Sequence, residues 1–280
     1  MFKRGQFTLF VVLGIVLLLL IGLFALFQNQ IFDFVGISQS ISYPSDVQEV
    51  VDHVQECVDR SAYESVVNIG YTGGYYTLPS RSYIDANDSM IPYYLYDGED
   101  ISLSTEDLQN ELNQYITAQV NACVHLEQFS SFTITSGTLS VASTVEEHLV
   151  SVEVSYPLTL TVGETVYTVS EPYTTEVDAN LGWLHDIAQQ IVTLDIANPD
   201  RIDYTNLLGY GVAHIIVAPV SNDTYVYILQ DTSSFNNQQN YSFFFAEYYP
   251  NLVSDADCVL DLDCTGNTTC VEGACVEEEQ

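Results

Sequence analysis

Basic residues are almost missing from this chain: 280 residues carry five Lys and Arg against 38 Asp and Glu, a formal net charge of -33. Beyond residue 30 the only strong bases are Arg60, Arg81 and Arg201. A body this negative repels phosphate backbones at any moderate salt, which excludes direct nucleic-acid binding. The familiar catalytic signatures are missing too. There is no His-Glu-x-x-His pair, no Gly-x-Ser-x-Gly elbow and no Gly-Lys-Ser/Thr phosphate loop. His53, His125, His148, His185 and His214 stand apart rather than in short ligand pairs. No catalytic residue, cofactor site or metal site is therefore assigned, and the expectation is a protein without catalytic chemistry. What remains is not an acidic disordered tail, because 47% hydrophobic and 12% aromatic residues supply material for a core.

Charge is also absent from Phe7 to Phe27, a 21-residue run broken only by Thr8, Gly14 and Gly22. As a helix it reaches about 31 Å, the thickness of a bilayer hydrocarbon core. A buried soluble helix is rarely apolar on every face for so many turns. Lys3 and Arg4 precede the run and Asp33 is the first charge after it, so the positive-inside rule leaves the N-terminus in the cytoplasm and the body outside. A cleavable secretory signal is the competing reading. The run is longer than the usual apolar stretch of roughly 7–15 residues, and its end, Leu26-Phe27-Gln28-Asn29-Gln30, lacks a small-x-small cleavage site, which favours a retained anchor.

The segment Lys3-Arg4-Gly5-Gln6-Phe7-Thr8-Leu9 resembles the start of type IV pilin-like precursors, particularly archaeal ones. Phe10 stands where bacterial major pilins carry Glu, a departure that leaves the archaeal resemblance untouched. The likeness covers about residues 3–27. It implies cleavage between Gly5 and Gln6, with the apolar helix retained and available to pack against copies of itself.

Six cysteines in a chain placed outside read as disulfides. Cys57 and Cys123 lie far apart in the body, whereas Cys258, Cys264, Cys270 and Cys275 crowd the tail with gaps of five, five and four residues. The sequence does not choose the pairing. Asp255, Asp257, Asp261 and Asp263 surround the first tail cysteine but lack the ligand order of a calcium loop. Asn87, Asn222, Asn240 and Asn267 open Asn-x-Ser/Thr triplets, candidate glycosylation sites. The acidic, lysine-poor composition fits a protein working at high salt, where self-repulsion is screened, or alternatively a cation-binding or low-pH surface.

Periodicity places the body's elements. Val47, Val50, Val51, Val54 and Val58 predict a helix over 46–67 that brings Cys57 toward the core, and Gly70 with Gly73-Gly74 ends it. Leu108, Leu112, Ile116, Val120 and Cys123 predict a second helix over 105–126, capped by Ser104 with Asp107 at the capping-box position. A Cys57–Cys123 bridge is then geometrically reasonable, stabilising by roughly 4 kcal/mol in chain-entropy terms. From Phe132 the period falls to two, predicting strands near 132–134, 139–145, 149–154, 158–162 and 166–169. A third helix is expected over 178–198, then strands at 212–220, 224–230 and 241–248. The 20 tyrosines, clustered at Tyr71, Tyr75, Tyr76, Tyr93, Tyr94, Tyr96, Tyr248 and Tyr249, suit either partner recognition or packing against the sheet.

The expected fold class is α+β: an N-terminal transmembrane helix, an extracellular domain of helices packed on an antiparallel sheet, and a disulfide-rich C-terminal tail. The expected divisions are a leader at 1–6, the apolar helix at 7–27, a connector at 28–45, the α+β domain at 46–253 and the cysteine-rich tail at 254–280. The expected role is a membrane-anchored archaeal surface protein, a pilin-like structural or adhesive subunit. A monomeric anchored receptor for a glycan or solute is the alternative, and an anchored extracellular hydrolase the third. Expected partners are the lipid bilayer, further copies through the N-terminal helix, and an extracellular glycan or protein.

Overall fold

The structure is a computed structural model that describes residues 43–79, 82–86, 89–199, 202, 204–210, 213–231, 241–250, 268–271 and 274–277. The chain divides into two compact units, Met1–Gln48 and Glu49–Gln280. Helix α1, Ser45–Tyr71, crosses that boundary. Within the second unit it buries Val50, Val54, Val58, Ala62, Val66 and Ile69, successive positions three or four apart that form one stripe. Its end is set by backbone conformation: Gly73 and Gly74 have φ of 55° and 84°, where a Cβ would be strained.

Strands β1 (Tyr83–Ala86), β2 (Ser89–Tyr96) and β3 (Glu99–Asp100) follow, then helix α2, Thr105–Cys123. Ser104 caps α2, its Oγ accepting from the Asp107 amide at 3.1 Å and donating to Asp107 Oδ2 at 2.6 Å. Leu108, Leu112, Ile116 and Val120 form its buried face. The helix stops short of Leu126 because Val124 takes an extended conformation and a separate turn, Leu126–Gln128, follows.

Six consecutive strands come next: β4 (Thr133–Ser136), β5 (Ser140–Val145), β6 (Leu149–Ser155), β7 (Leu158–Val162), β8 (Thr165–Val169) and β9 (Tyr173–Asp178). They form two antiparallel three-stranded sheets, β4-β7-β8 and β5-β6-β9. Val150, Val152 and Val154 of β6 point inward while Ser151 and Glu153 do not, the alternation of a half-buried strand.

Helix α3, Leu181–Ala197, begins three residues after the predicted start because Tyr173–Asp178 is taken up by β9. Gly182 lets the first turn of α3 press on the β5–β6 turn, since a Cβ there would meet the Glu146 carbonyl oxygen at 2.3 Å. The short helix α4 (Tyr204–Leu207) leads to β10 (Ala213–Ser221), β11 (Thr224–Asp231) and β12 (Tyr241–Tyr248). These complete the main sheet in the order β1-β2-β12-β11-β10, with β3 added to β2. Under α3 the rings of Tyr227 and Phe245 stack at 4.9 Å, and Tyr94 lies 5.0 Å from Phe245 and 6.0 Å from Phe243. Each such fully buried ring contributes on the order of 1.5–3 kcal/mol.

The expected fold class is corrected. The main sheet is mixed rather than antiparallel, because β12 runs parallel to β2. Alternation within a strand encodes which face is buried but not the direction of its neighbour. Here β12 returns beside β2 only after three helices, α2 to α4, and nine strands, β3 to β11. The sheet is also not single: β4-β7-β8 and β5-β6-β9 form separate three-stranded sheets. Among the described residues no helix is long and apolar enough to cross a membrane. The expected transmembrane segment at 7–27 and the leader at 1–6 lie outside the described residues. Of the expected tail, the structure describes the antiparallel hairpin of β13 (Thr268–Val271) and β14 (Ala274–Glu277), with Cys270 and Cys275 as Cα partners.

Candidate functional site

Acidic side chains belong on the surface of this chain, yet two are buried together beneath α3. Asp195 is 5% exposed and Glu247 0%. Each occupies a position that the local period turns inward. Asp195 extends the stripe of Leu184, Ile187, Ala188 and Ile191 by one turn of α3. Glu247 continues the alternation of Tyr241, Phe243 and Phe245 along β12.

Two phenols join them. Tyr227 of β11 donates to Asp195 Oδ2 at 3.1 Å and lies 2.8 Å from the Tyr249 hydroxyl. Tyr249, just past β12, reaches Asp195 Oδ2 at 2.7 Å and also bonds Glu247 Oε2. Glu247 Oε1 has no partner. Burial first, then the adjacent Asp195 charge, pushes the Glu247 carboxyl well above the usual carboxylate range. Its surroundings therefore favour the protonated form of Glu247. Burial, followed by the charge of Glu247, likewise raises the Tyr227 and Tyr249 hydroxyls, so both stay protonated.

A cleft of about 120 Å³ opens onto this cluster. Asp195 and Tyr249 form part of its wall, with Leu95, Ile196, Pro199, Tyr248 and Pro250 supplying apolar surface and the Asp97-Gly98 turn completing it. That turn is tight, with φ of 53° at Asp97 and 80° at Gly98. The arrangement can hold a proton and accept hydrogen bonds from a cationic group. Among the described residues that line the cleft there is no Ser, Thr or Cys.

A second polar chain holds the start of α3. The Asn180 amide donates to Asp231 Oδ2 at 2.6 Å, so its carbonyl oxygen accepts from His148 Nδ1, also at 2.6 Å. His185 is buried and bonds the Leu103 carbonyl at 2.9 Å; desolvation lowers its pKa, so it is a neutral donor. His125 is an exposed neighbour of Glu127, and His53 pairs with Gln128 and the Phe129 ring. Among the described residues, no group of three His, Cys, Asp or Glu side chains is placed to hold a metal.

Of the residues singled out from sequence, Cys57 and Cys123 are brought together as a disulfide, with Cα atoms 5.7 Å apart. This pins α1 to the end of α2. Asn222 is exposed in the turn between β10 and β11. Gly5, Gln6, Asn87, Asn240, Asn267, Cys258 and Cys264 lie outside the described residues, as do Asp255, Asp257, Asp261 and Asp263. The tyrosines divide: Tyr94, Tyr227, Tyr241 and Tyr249 are core, while Tyr71, Tyr76 and Tyr96 are more than a third exposed. Asp195 and Glu247 escaped the sequence reading, although an acid at an inward phase of an apolar stripe is a readable signal. No protein-family model, curated protein or solved structure matches the chain.

Proposed function

We propose that this chain is a membrane-anchored archaeal surface protein, a pilin-like structural or adhesive subunit that presents its acidic body outside the cell. The observation that carries the reading is the Cys57–Cys123 bridge, a cross-link between two helices of the body. Such bridges form and persist in oxidising compartments. It joins the apolar run at 7–27 and its flanking Lys3 and Arg4, which orient a chain with its body outside. Intact mass and N-terminal sequencing of the protein from its native membrane or filament fraction test the pilin-like part. The expected N-terminus is Gln6 with the apolar run retained. A chain still beginning at Met1 contradicts it.

The acidic surface belongs to the same proposal as an adaptation to high salt. With a net charge of -33, self-repulsion extends over about 10 Å at 0.1 M salt and about 3 Å at 1 M. Thermal stability is expected to rise steadily across that range, and a flat response contradicts the adaptation. The cleft beside Asp195 favours a second reading, an anchored ectodomain that captures a small solute.

A further inference from the structure

An open sheet leaves a row of backbone N–H and C=O groups unpaired along each edge strand, ready to bond another extended chain. This chain shortens, charges or bonds its other edges. β1 is four residues long and carries Asp85. The Gln109 side chain of α2 accepts from the Val145 amide of β5 at 3.0 Å, and Gln55 of α1 donates to the Thr174 carbonyl of β9 at 3.1 Å. β4 has four residues and β8 five. β10 is the exception: nine residues, Ala213–Ser221, at the end of the main sheet's order with β11 on one side only. Among the described residues no backbone hydrogen bond reaches its other side.

The devices that blunt an edge are missing from most of β10. From Tyr204 to Asn222 the sequence holds no Asp, Glu, Lys or Arg, the longest such run beyond residue 30. Pro219 and a register shift, both of which hinder pairing, fall at Pro219–Ser221 and leave Ala213–Ala218 regular. In that stretch Ile216 is 37% exposed, on the face it shares with Ile228 of β11. A bare edge specifies an extended strand as its occupant, and charge specifies which strand. A basic strand, which the net charge of -33 would attract, finds no acid along β10 to pair with. An acidic strand is repelled by the body as a whole. A second β10 meets the edge with no charge on either side.

We propose that β10 is an interface between two copies of this chain, the two β10 strands pairing antiparallel about a two-fold axis at Ile216 so that their main sheets join edge to edge. An axis perpendicular to the sheet keeps matching faces together. It sets Ile216 against its own counterpart, pairs Ile215 with Val217 and His214 with Ala218, and places each irregular Pro219–Ser221 segment at an end of the paired stretch. β-Branched side chains directly opposite one another stabilise such a ladder. Two bodies of net charge -33 repel over about 10 Å at 0.1 M salt and about 3 Å at 1 M, so the pairing strengthens with salt. The contact goes beyond the pilin-like reading: it joins bodies through a strand rather than through the apolar run, and it stands however the N-terminus is processed.

The test is sedimentation of the full chain in detergent at about 0.1 M and about 1 M salt, beside Ile216→Glu. That substitution falls on an exposed position, and thermal melts check that the variant folds. The native chain is expected to shift from monomer toward dimer as salt rises. Ile216→Glu, which sets two carboxylates opposite each other, should weaken the dimer at least about tenfold. Association through the apolar run is common to both chains, so an undiminished dimer in the variant overturns the proposal, as does a native chain that is monomeric at both salts. The register has its own test, in native membranes oxidised with copper phenanthroline. Ile216→Cys is expected to cross-link two copies, because opposed Cα atoms in an antiparallel pair lie about 4.5–5.5 Å apart, within disulfide reach. His214→Cys is expected not to, since its counterpart is displaced by four residues, about 13 Å, along the strand. Equal cross-linking of both variants, cross-linking of neither, or a link from Ile216→Cys to a different protein overturns the proposal.

Discussion

The central strand β12 of the main sheet and the edge strand β5 of a three-stranded sheet are built from the same kinds of β-forming residue but handle water in opposite ways. In β12, six of eight residues are buried, so both faces are covered. In β5, exposed and half-buried residues alternate without one fully buried position. The main sheet draws its strands from residues 83 to 248, whereas β4 to β9 occupy one continuous stretch, 133–178. The difference teaches where this acidic chain keeps its stability. Long-range packing of Phe243, Phe245, Tyr94 and Tyr227 forms a dense centre beneath α3, and a locally connected, Ser/Thr-rich part meets solvent.

The sharpest way to break this contrast is to truncate one ring. Phe243→Ala should cost about 3–5 kcal/mol by urea denaturation, whereas Val141→Ala in β5 should cost about 1 kcal/mol. Equal losses would mean that the two regions are packed alike. Gly182→Ala comes next, because its Cβ would meet the Glu146 carbonyl at 2.3 Å. A loss of about 1–3 kcal/mol is expected as α3 is forced away from the β5–β6 turn. A neutral outcome in the same melts would show that this junction yields.

Glu247→Gln sharpens the comparison by its pH dependence. The folded-state pKa of Glu247 lies well above its ordinary value of 4.5, so the unfolded chain gives up its proton first as pH rises. Native stability is then full below about pH 4.5 and declines from there until the folded carboxyl ionises. The glutamine variant lacks that decline. It should gain on the native chain steadily above pH 4.5 and lose the advantage below it, in paired thermal melts across pH. A constant difference would remove the buried neutral acid from the account. The smallest effect is Ser104→Ala, which deletes the α2 cap and should cost ~1 kcal/mol without altering the sheets, by the same melts.

Much of this layout was legible in the sequence where burial is one-sided. The valine stripe of α1, the capped inner face of α2 and the alternation of β5 to β7 each declare a period. Legibility failed where both faces are covered or the pattern is short. β2, Ser89–Tyr96, holds Pro92 amid adjoining tyrosines and shows no clean alternation. β9 reads Tyr-Thr-Thr-Glu-Val-Asp, with Tyr173 and Val177 buried four residues apart, a spacing that fits a helix as well as a strand. The parallel pairing of β12 with β2 depends on a connection far longer than any local signal. Asp195 and Glu247 were hidden for a simpler reason: among 38 acids, only packing distinguishes the few that turn inward.

The claim that this body is built for an oxidising exterior is tested most directly by disulfide mapping. The protein is taken from its native cells, with thiols blocked before lysis, and its peptides are analysed by mass spectrometry without reduction. The account predicts a cross-linked peptide joining Cys57 to Cys123. Both cysteines recovered blocked and unlinked would contradict it.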